Sequence, residues 1–113
     1  MKIISVNFYR TSQGTEPVRQ WLLSLKNDDK KIIGQDVKTV EFGWPLGMPL
    51  VRKLNKSLWE VRSDISDGRI SRVIFTVEKS IMILLHGFIK KTQKTSTQDI
   101  NLAKVRRNEV LNG

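Results

Sequence analysis

The spacing of apolar residues predicts a strand followed by two helices. Residues 2–9 combine β-branched and aromatic side chains, as strands do. A first helix is expected after Thr15, its N-cap, and Pro17, because apolar residues then follow at helical spacing: Val18, Trp21, Leu22 and Leu25. A second helix should begin at Asn27 and end at Gly43. The short connection predicts that the two helices form an antiparallel hairpin.

The second half of the chain reads as three strands and a closing helix. After an irregular stretch at 46–56, alternating residues predict strands at 58–63, 69–77 and 81–89. Asp67-Gly68 is a strong hairpin dipeptide, and consecutive strands with such short turns must pair antiparallel. The last helix is expected to end near Asn112, and residues 95–99 offer several caps for it, including a capping-box spacing between Thr95 and Gln98.

The predicted order β-α-α-β-β-β-α describes an α+β fold, in which helices pack against an antiparallel sheet. The chain has 113 residues, which suits a single domain over residues 1–113. Hydrophobic residues make up 39% of it and charged residues 27%, which argues against wholesale disorder.

The net charge of +9 indicates a polyanionic partner, because 20 Lys and Arg face 11 Asp and Glu. Nucleic acid, an anionic membrane and an acidic protein are the candidates, and a merely basic soluble protein is the plainer alternative. Residues 1–51 carry seven cations and five acids, a net of +2, whereas residues 52–113 carry thirteen and six, a net of +7. The partner should therefore bind mainly to the second half.

The rare residue types exclude several chemistries. Without cysteine there is no disulfide, no thiolate nucleophile and no Cys-ligated metal. His86 is the sole histidine, which excludes a site built on several imidazoles. The apolar run at the N-terminus is too short for a signal peptide or a membrane span. We therefore expect a cytoplasmic protein that uses no metal or cofactor and does not engage a membrane.

Cations lie at positions where a polyanion would meet the predicted sheet. Arg62, Arg72 and His86 fall among core-forming neighbours, so each arginine there requires a partner or a solvent-filled cleft. A run of donors, residues 90–95, leaves the third predicted strand. We expect this run to form a basic bowl for phosphates with Lys53, Lys56, Arg62, Arg69 and Arg72. A solvated charged loop is the alternative.

A cationic cleft without paired acids or metal ligands suggests metal-free cleavage of RNA. The 2′-hydroxyl of RNA attacks the adjacent phosphate, so the substrate supplies the nucleophile, while cations stabilise the charge that develops on the phosphate. His86 is the natural proton donor or acceptor, and a structural histidine is the alternative.

Three segments in and just after the predicted antiparallel strands resemble a known family: 58–62 (LWEVR), 68–75 (GRISRVIF) and, above all, 85–95 (LHGFIKKTQKT). They are similar to the phage-derived Gp49-like family, HigB-type toxins of the RelE/ParE superfamily, and Glu16-Pro17-Val18 and Ala103 also fit. The resemblance spans nearly the whole chain. It implies a RelE-like, microbial-ribonuclease-like fold and a type II toxin that cleaves mRNA, ribosome-dependently and without metal. A helix-turn-helix, HigA-like antitoxin would neutralise it, and only that complex would bind operator DNA.

The resemblance also implies site residues. Arg72 matches the arginine that contacts the scissile phosphate, Arg62 matches a basic position on the preceding strand, and Lys90 or Lys91 falls near a further arginine. The predicted catalytic set is Arg62, Arg72, His86, Lys90 and Lys91, and the predicted RNA-binding set is Lys53, Lys56, Arg69 and Lys94.

Two features of related toxins are missing. The C-terminal tyrosine of RelE and the paired histidines of some HigB toxins have no counterpart, so the general base is open between His86, a lysine and no strong base. A ParE-like gyrase poison or an inert interaction module of the same fold is the alternative function. A nucleic-acid-binding protein without catalysis is a third reading.

Overall fold

The computed structural model describes residues 2–90 and 94–113. Within them lie five strands, three α-helices and a short 3-10 turn at Ser66–Gly68. The elements are β1 (Ser5–Phe8), α1 (Pro17–Leu23), α2 (Asn27–Gly43), β2 (Val51–Asn55), β3 (Leu58–Asp64), β4 (Ile70–Glu78), β5 (Ile81–Lys90) and α3 (Thr97–Asn112).

The strands form one mixed sheet in the order β1-β5-β4-β3-β2. The meander from β2 to β5 is antiparallel, as its short turns predicted. β1, however, pairs parallel with β5, from Ser5 opposite Ile81 to Phe8 opposite Leu84. The α+β class is confirmed, whereas the prediction of a purely antiparallel sheet is wrong. A parallel pair is possible here because α1, α2 and the strands β2 to β4 separate β1 from β5 in the sequence, so no tight turn dictates the direction of β1.

β2 was not predicted, since residues 46–56 read as irregular. Val51 is buried and lies opposite Val61 of β3, which gives the strand its anchor. Arg52 and Lys53 are exposed on this edge strand, where cations discourage pairing with another chain. The two cations and the nearby Pro49 obscure the sequence pattern of β2, because too few apolar residues remain to show the alternation typical of a strand.

The bounds of α2 agree with the prediction, the cap of α1 differs from it, and α3 uses one of the several caps that the sequence offered. Thr15 does not cap α1: its hydroxyl lies 2.6 Å from that of Thr11 in the preceding turn. At α3, the side chain of Ser96 accepts a hydrogen bond from the Asp99 amide, so Ser96 replaces Thr95 as the cap. In the described part of the chain, no helix combines the length and apolar character needed to cross a bilayer.

The two faces of the sheet are covered by different helices. α1 and α2 cover one face, where α1 packs mainly on β5 and α2 packs on β3. The central residues of this side of the core are Val18, Ile33, Val40, Val61, Val73 and Phe75. The opposite face carries α3, whose Ala103 packs against Leu58, Ile74 and Leu85. The candidate site lies on this second face.

Gly87 allows α1 to approach β5, and its replacement should disturb that contact. A Cβ at this position would lie 2.4 Å from two ring atoms of Trp21. We expect Gly87→Ala to lower the free energy of unfolding by about 1–3 kcal/mol, because the indole must shift. Gly34→Ala is the matched control: no atom lies within 4 Å of its added Cβ, and alanine in the middle of a helix should add about 0.5–1 kcal/mol. Urea unfolding of both variants tests this account, and a Gly87→Ala protein as stable as the parent would contradict it.

Candidate functional site

Arg72 lies at the centre of the sheet, on the face that α3 covers. It sits directly opposite Arg62 on β3 and Phe88 on β5. Its side chain is 0% exposed, and Nε lies 3.7 Å from Oε1 of Glu60, whose side chain is also 0% exposed. Nη1 donates a hydrogen bond to the Lys94 carbonyl at 3.2 Å. The expected requirement for a partner is therefore met inside the protein, by a buried ion pair.

The carboxylate of Glu60 joins this pair to the segment that leads into α3. The Thr95 hydroxyl lies 2.7 Å from Oε1 and 2.9 Å from Oε2 of Glu60, and Thr95 is itself buried. Burial lowers the pKa of the Arg72 guanidinium, the Glu60 carboxylate opposes this shift, and the charges of Arg62 and Arg52 reinforce it. The group still remains charged at neutral pH, because an arginine does not lose its proton in proteins.

A second cluster lies beside the first and reaches solvent. Nε2 of His86 is 2.7 Å from Oδ1 of Asp99, and Nζ of Lys90 is 2.9 Å from Oδ2. Ser96 donates its hydroxyl to Oδ2 at 2.5 Å. The side chains of His86 and Lys90 are 18% and 33% exposed. We call these residues, His86, Lys90, Ser96 and Asp99, the histidine cluster.

Asp99 fixes the proton arrangement of this cluster. Burial raises the pKa of Asp99, but hydrogen bonds from Ser96, His86 and Lys90 outweigh that effect and lower the pKa to about 2. Asp99 is therefore an acceptor-only carboxylate at neutral pH, so Nε2 of His86 must donate to it. Nδ1 is then the ring nitrogen that is left to exchange a proton with a substrate.

Aromatic stacking holds the imidazole from another side. The Phe88 ring stacks on His86 with centroids 5.2 Å apart, and Nζ of Lys90 lies 5.3 Å from the Phe88 centroid. The ammonium group of Lys90 is thus held between a carboxylate and the face of a ring. Both contacts limit the motion of the two side chains that reach solvent.

In the described part of the chain, the cations predicted to form one bowl lie at separate places. Arg62 is half-buried and lines a separate cavity of about 610 Å3 that also contains Asp36 and Asp64. Nη2 of Arg69 lies 2.9 Å from Oδ2 of Asp29 on α2. Arg69 follows the C-terminal end of β3, whereas Lys56 precedes its N-terminal end. The bond from the Ser66 amide contributes most to lowering the pKa of Asp29. Arg69 is therefore committed to an ion pair with α2, away from the histidine cluster.

The other predicted cations lie between β2 and α3. Lys53 and Lys94 line a cavity of about 140 Å3, and Lys56 lines another of about 320 Å3. Lys91 lies outside the described residues. Among the residues described, no group of three or more His, Asp or Glu side chains is placed to hold a metal ion.

Sequence reasoning missed the acidic partners of the site. Glu60 shares a face of β3 with Leu58 and Arg62, and an acid on a core-facing side of a strand signals a buried partner for an arginine. Asp99 lacks such a signal, because an acid in the first turn of a helix is usual there. Its contact with His86 depends on how α3 packs on β5.

The chain was also compared with known proteins. The model of a family described as phage-derived protein Gp49-like matches residues 20–108. This range covers more than half of the chain and includes α2, the complete meander and most of α3. The match confirms the Gp49-like resemblance. Among curated proteins, nothing matches this chain.

Proposed function

We propose that this protein, which belongs to the Gp49-like family of phage-derived proteins, is the toxin of a type II toxin–antitoxin pair that cleaves mRNA on the ribosome. The observation that carries the proposal is the histidine cluster: an oriented imidazole and an ammonium group, both reaching solvent, on the cationic half of the chain. The order of the elements and the helix-covered sheet support a RelE-like fold.

The proposed reaction uses the 2′-hydroxyl of RNA and requires no metal. Nδ1 of His86 accepts the hydroxyl proton, while Asp99 orients the ring and stabilises the imidazolium that forms. The 2′-oxygen then bonds to phosphorus, the bond to the 5′ oxygen breaks, and that oxygen takes a proton from solvent. The ammonium group of Lys90 stabilises the charge on the phosphoryl oxygens.

Arg72 supports this site from inside the sheet. The resemblance implies that it contacts the scissile phosphate, but its side chain is completely buried in this structure. Its bond to the Lys94 carbonyl, and the bond from Thr95 to Glu60, hold the segment that precedes Ser96 and Asp99. Arg72 therefore acts as a positioning residue, and Lys90 is the accessible cation next to His86.

The proposed function also implies binding partners. A helix-turn-helix, HigA-like antitoxin would neutralise the toxin in the cytoplasm and bring it to operator DNA. An acidic segment of that antitoxin would complement the cationic half of the chain.

Controlled expression in growing cells, with mapping of RNA 5′ ends, tests the proposal. We expect growth arrest and new 5′ ends inside translated reading frames, because the enzyme meets mRNA on the ribosome. Blocking translation initiation beforehand should remove these ends. Normal growth with intact mRNA would refute the proposal, and DNA damage with intact mRNA would point to gyrase poisoning instead.

A further inference from the structure

Both acids of α3 have partners on the same side of the helix, where Arg106 also bonds to β5. The acids, Asp99 and Glu109, bond to His86 of β5 and to Tyr9 beyond β1. This side of the helix faces the β1 edge of the sheet. The acids are thereby removed from the other side of the helix, which faces β2.

Two cavities lie in succession along the seam between β2 and α3. The first, of about 140 Å3, is lined by Arg52, Lys53, Leu54, Lys94, Thr95 and Ile100. The second, of about 320 Å3, is lined by Asn55, Lys56, Ser57, Arg107, Asn108 and Leu111. Among the described residues that line them there are five cations and no carboxylate.

One stripe of α3 joins the two cavities. Ile100 lines the first, and Arg107 and Leu111 line the second. Lys104 falls on the same stripe, because residues 100, 104, 107 and 111 follow helical spacing. At 1.5 Å per residue the stripe extends about 16 Å, which is long enough for more than one phosphate. We call this seam the β2–α3 groove.

We propose that the β2–α3 groove binds the sugar–phosphate backbone of single-stranded RNA. The inference rests on the proposed function only in taking RNA as the polyanion. It assigns a binding role to Arg52, Lys104 and Arg107, which have no part in the proposed reaction. The same chemistry fits an mRNA strand or an exposed strand of ribosomal RNA.

The character of the groove suits backbone binding without sequence preference. Arg52, Lys53 and Lys56 are exposed, so phosphates can replace water around them at little cost. Arg107 is fixed by its bond to the Lys56 carbonyl at 2.6 Å, which places its charge at the far end of the groove. No aromatic side chain lines either cavity among the described residues, so the base-stacking contacts used by many single-strand binders are not available there.

The test compares two triple variants that each remove three positive charges. The groove variant carries Arg52→Gln, Lys56→Gln and Lys104→Gln. The control carries Lys26→Gln, Lys31→Gln and Lys38→Gln, all exposed and located on or next to α2. The probe is a short fluorescent 2′-O-methyl RNA, which cannot be cleaved because it has no free 2′-hydroxyl, so binding is measured apart from catalysis. Thermal unfolding checks that both variants fold.

We expect the groove variant to bind the probe roughly 10- to 100-fold more weakly at about 0.1 M salt, and the control less than about twofold more weakly. The slope of log affinity against log salt should fall by about 2 in the groove variant, since each lost phosphate contact on a single strand contributes about 0.7. Equal losses in the two variants, or no binding by the parent protein, would overturn the inference.

A second arm distinguishes the two sources of RNA. If the groove binds ribosomal RNA, the groove variant should also lose co-sedimentation with ribosomes that carry no mRNA. If the groove binds mRNA instead, the variant should still co-sediment with these ribosomes. Loss of probe binding in a protein that cleaves nothing in cells would support the groove and refute the proposed function. If the groove variant keeps full cleavage in cells and unchanged probe binding, the proposed function is supported and the groove is refuted.

Discussion

Arg72→Ala is expected to lower the free energy of unfolding by about 3–5 kcal/mol. Removal of one member of a buried ion pair leaves the other charge without compensation in a medium that solvates it poorly. Here the abandoned charge is Glu60, completely buried, and the bond to the Lys94 carbonyl is lost as well. For a domain whose total stability is about 5–15 kcal/mol, this loss is a large fraction. Urea unfolding followed by circular dichroism measures it.

A second substitution separates the ion pair from simple loss of packing. Glu60→Gln in the Arg72→Ala background removes the uncompensated charge, so the double variant should be more stable than Arg72→Ala alone. An Arg72→Ala protein that loses less than about 1 kcal/mol would contradict the buried-pair account. The result also governs how toxicity assays are read, because a harmless Arg72→Ala variant would then reflect unfolding rather than loss of a phosphate contact.

His86→Gln is expected to reduce the rate of RNA cleavage by about 10²- to 10⁴-fold, the usual contribution of a general acid or base. Glutamine keeps an N–H donor for Asp99, so the packing around α3 should survive, but it cannot exchange a proton at neutral pH. The measurement is single-turnover cleavage of mRNA on programmed ribosomes.

Leu102→Gln provides the control for this prediction, because Leu102 is exposed on α3 and has no proposed role. It should cleave at the parental rate. A His86→Gln protein that keeps full activity would show that the histidine is structural. If activity and stability fall together, the ring anchors α3, and the role of general base passes to another group.

The meander could be predicted because its information is local. Alternation over β3 and β4 and the Asp67-Gly68 turn specify the antiparallel pairing whatever the rest of the chain does, and both residues of this turn have the positive φ it requires. The parallel position of β1 could not be derived in this way. Ser5 lies opposite Ile81, which is distant in the sequence, so their pairing depends on how the intervening elements pack.

The difference between local information and tertiary packing also explains which parts of the candidate site could be predicted. The sequence pointed to His86 and Arg72 because an imidazole or a cation among apolar neighbours is unusual, and to Lys90 through the run of donors at 90–95 and the family resemblance. It did not specify that His86 and Lys90 would meet Asp99, because Asp99 reaches the sheet only when α3 packs on it. The ion pair of Arg69 was not predicted for a related reason, because its partner Asp29 lies 40 residues away in the sequence, on α2.

The parallel contact between β1 and β5 also bears on the stage of synthesis at which the candidate site can form. β5, which carries His86 and Lys90, is bordered by β4 on one side and by the first strand of the chain on the other. During synthesis, β1 leaves the ribosome well before β5, the strand with which it pairs, and Asp99 of α3 emerges later still. A chain that ends before α3 therefore lacks Asp99, so Nε2 of its His86 has no carboxylate to orient it. If the proposed function holds, only nearly complete copies of the chain could cleave RNA.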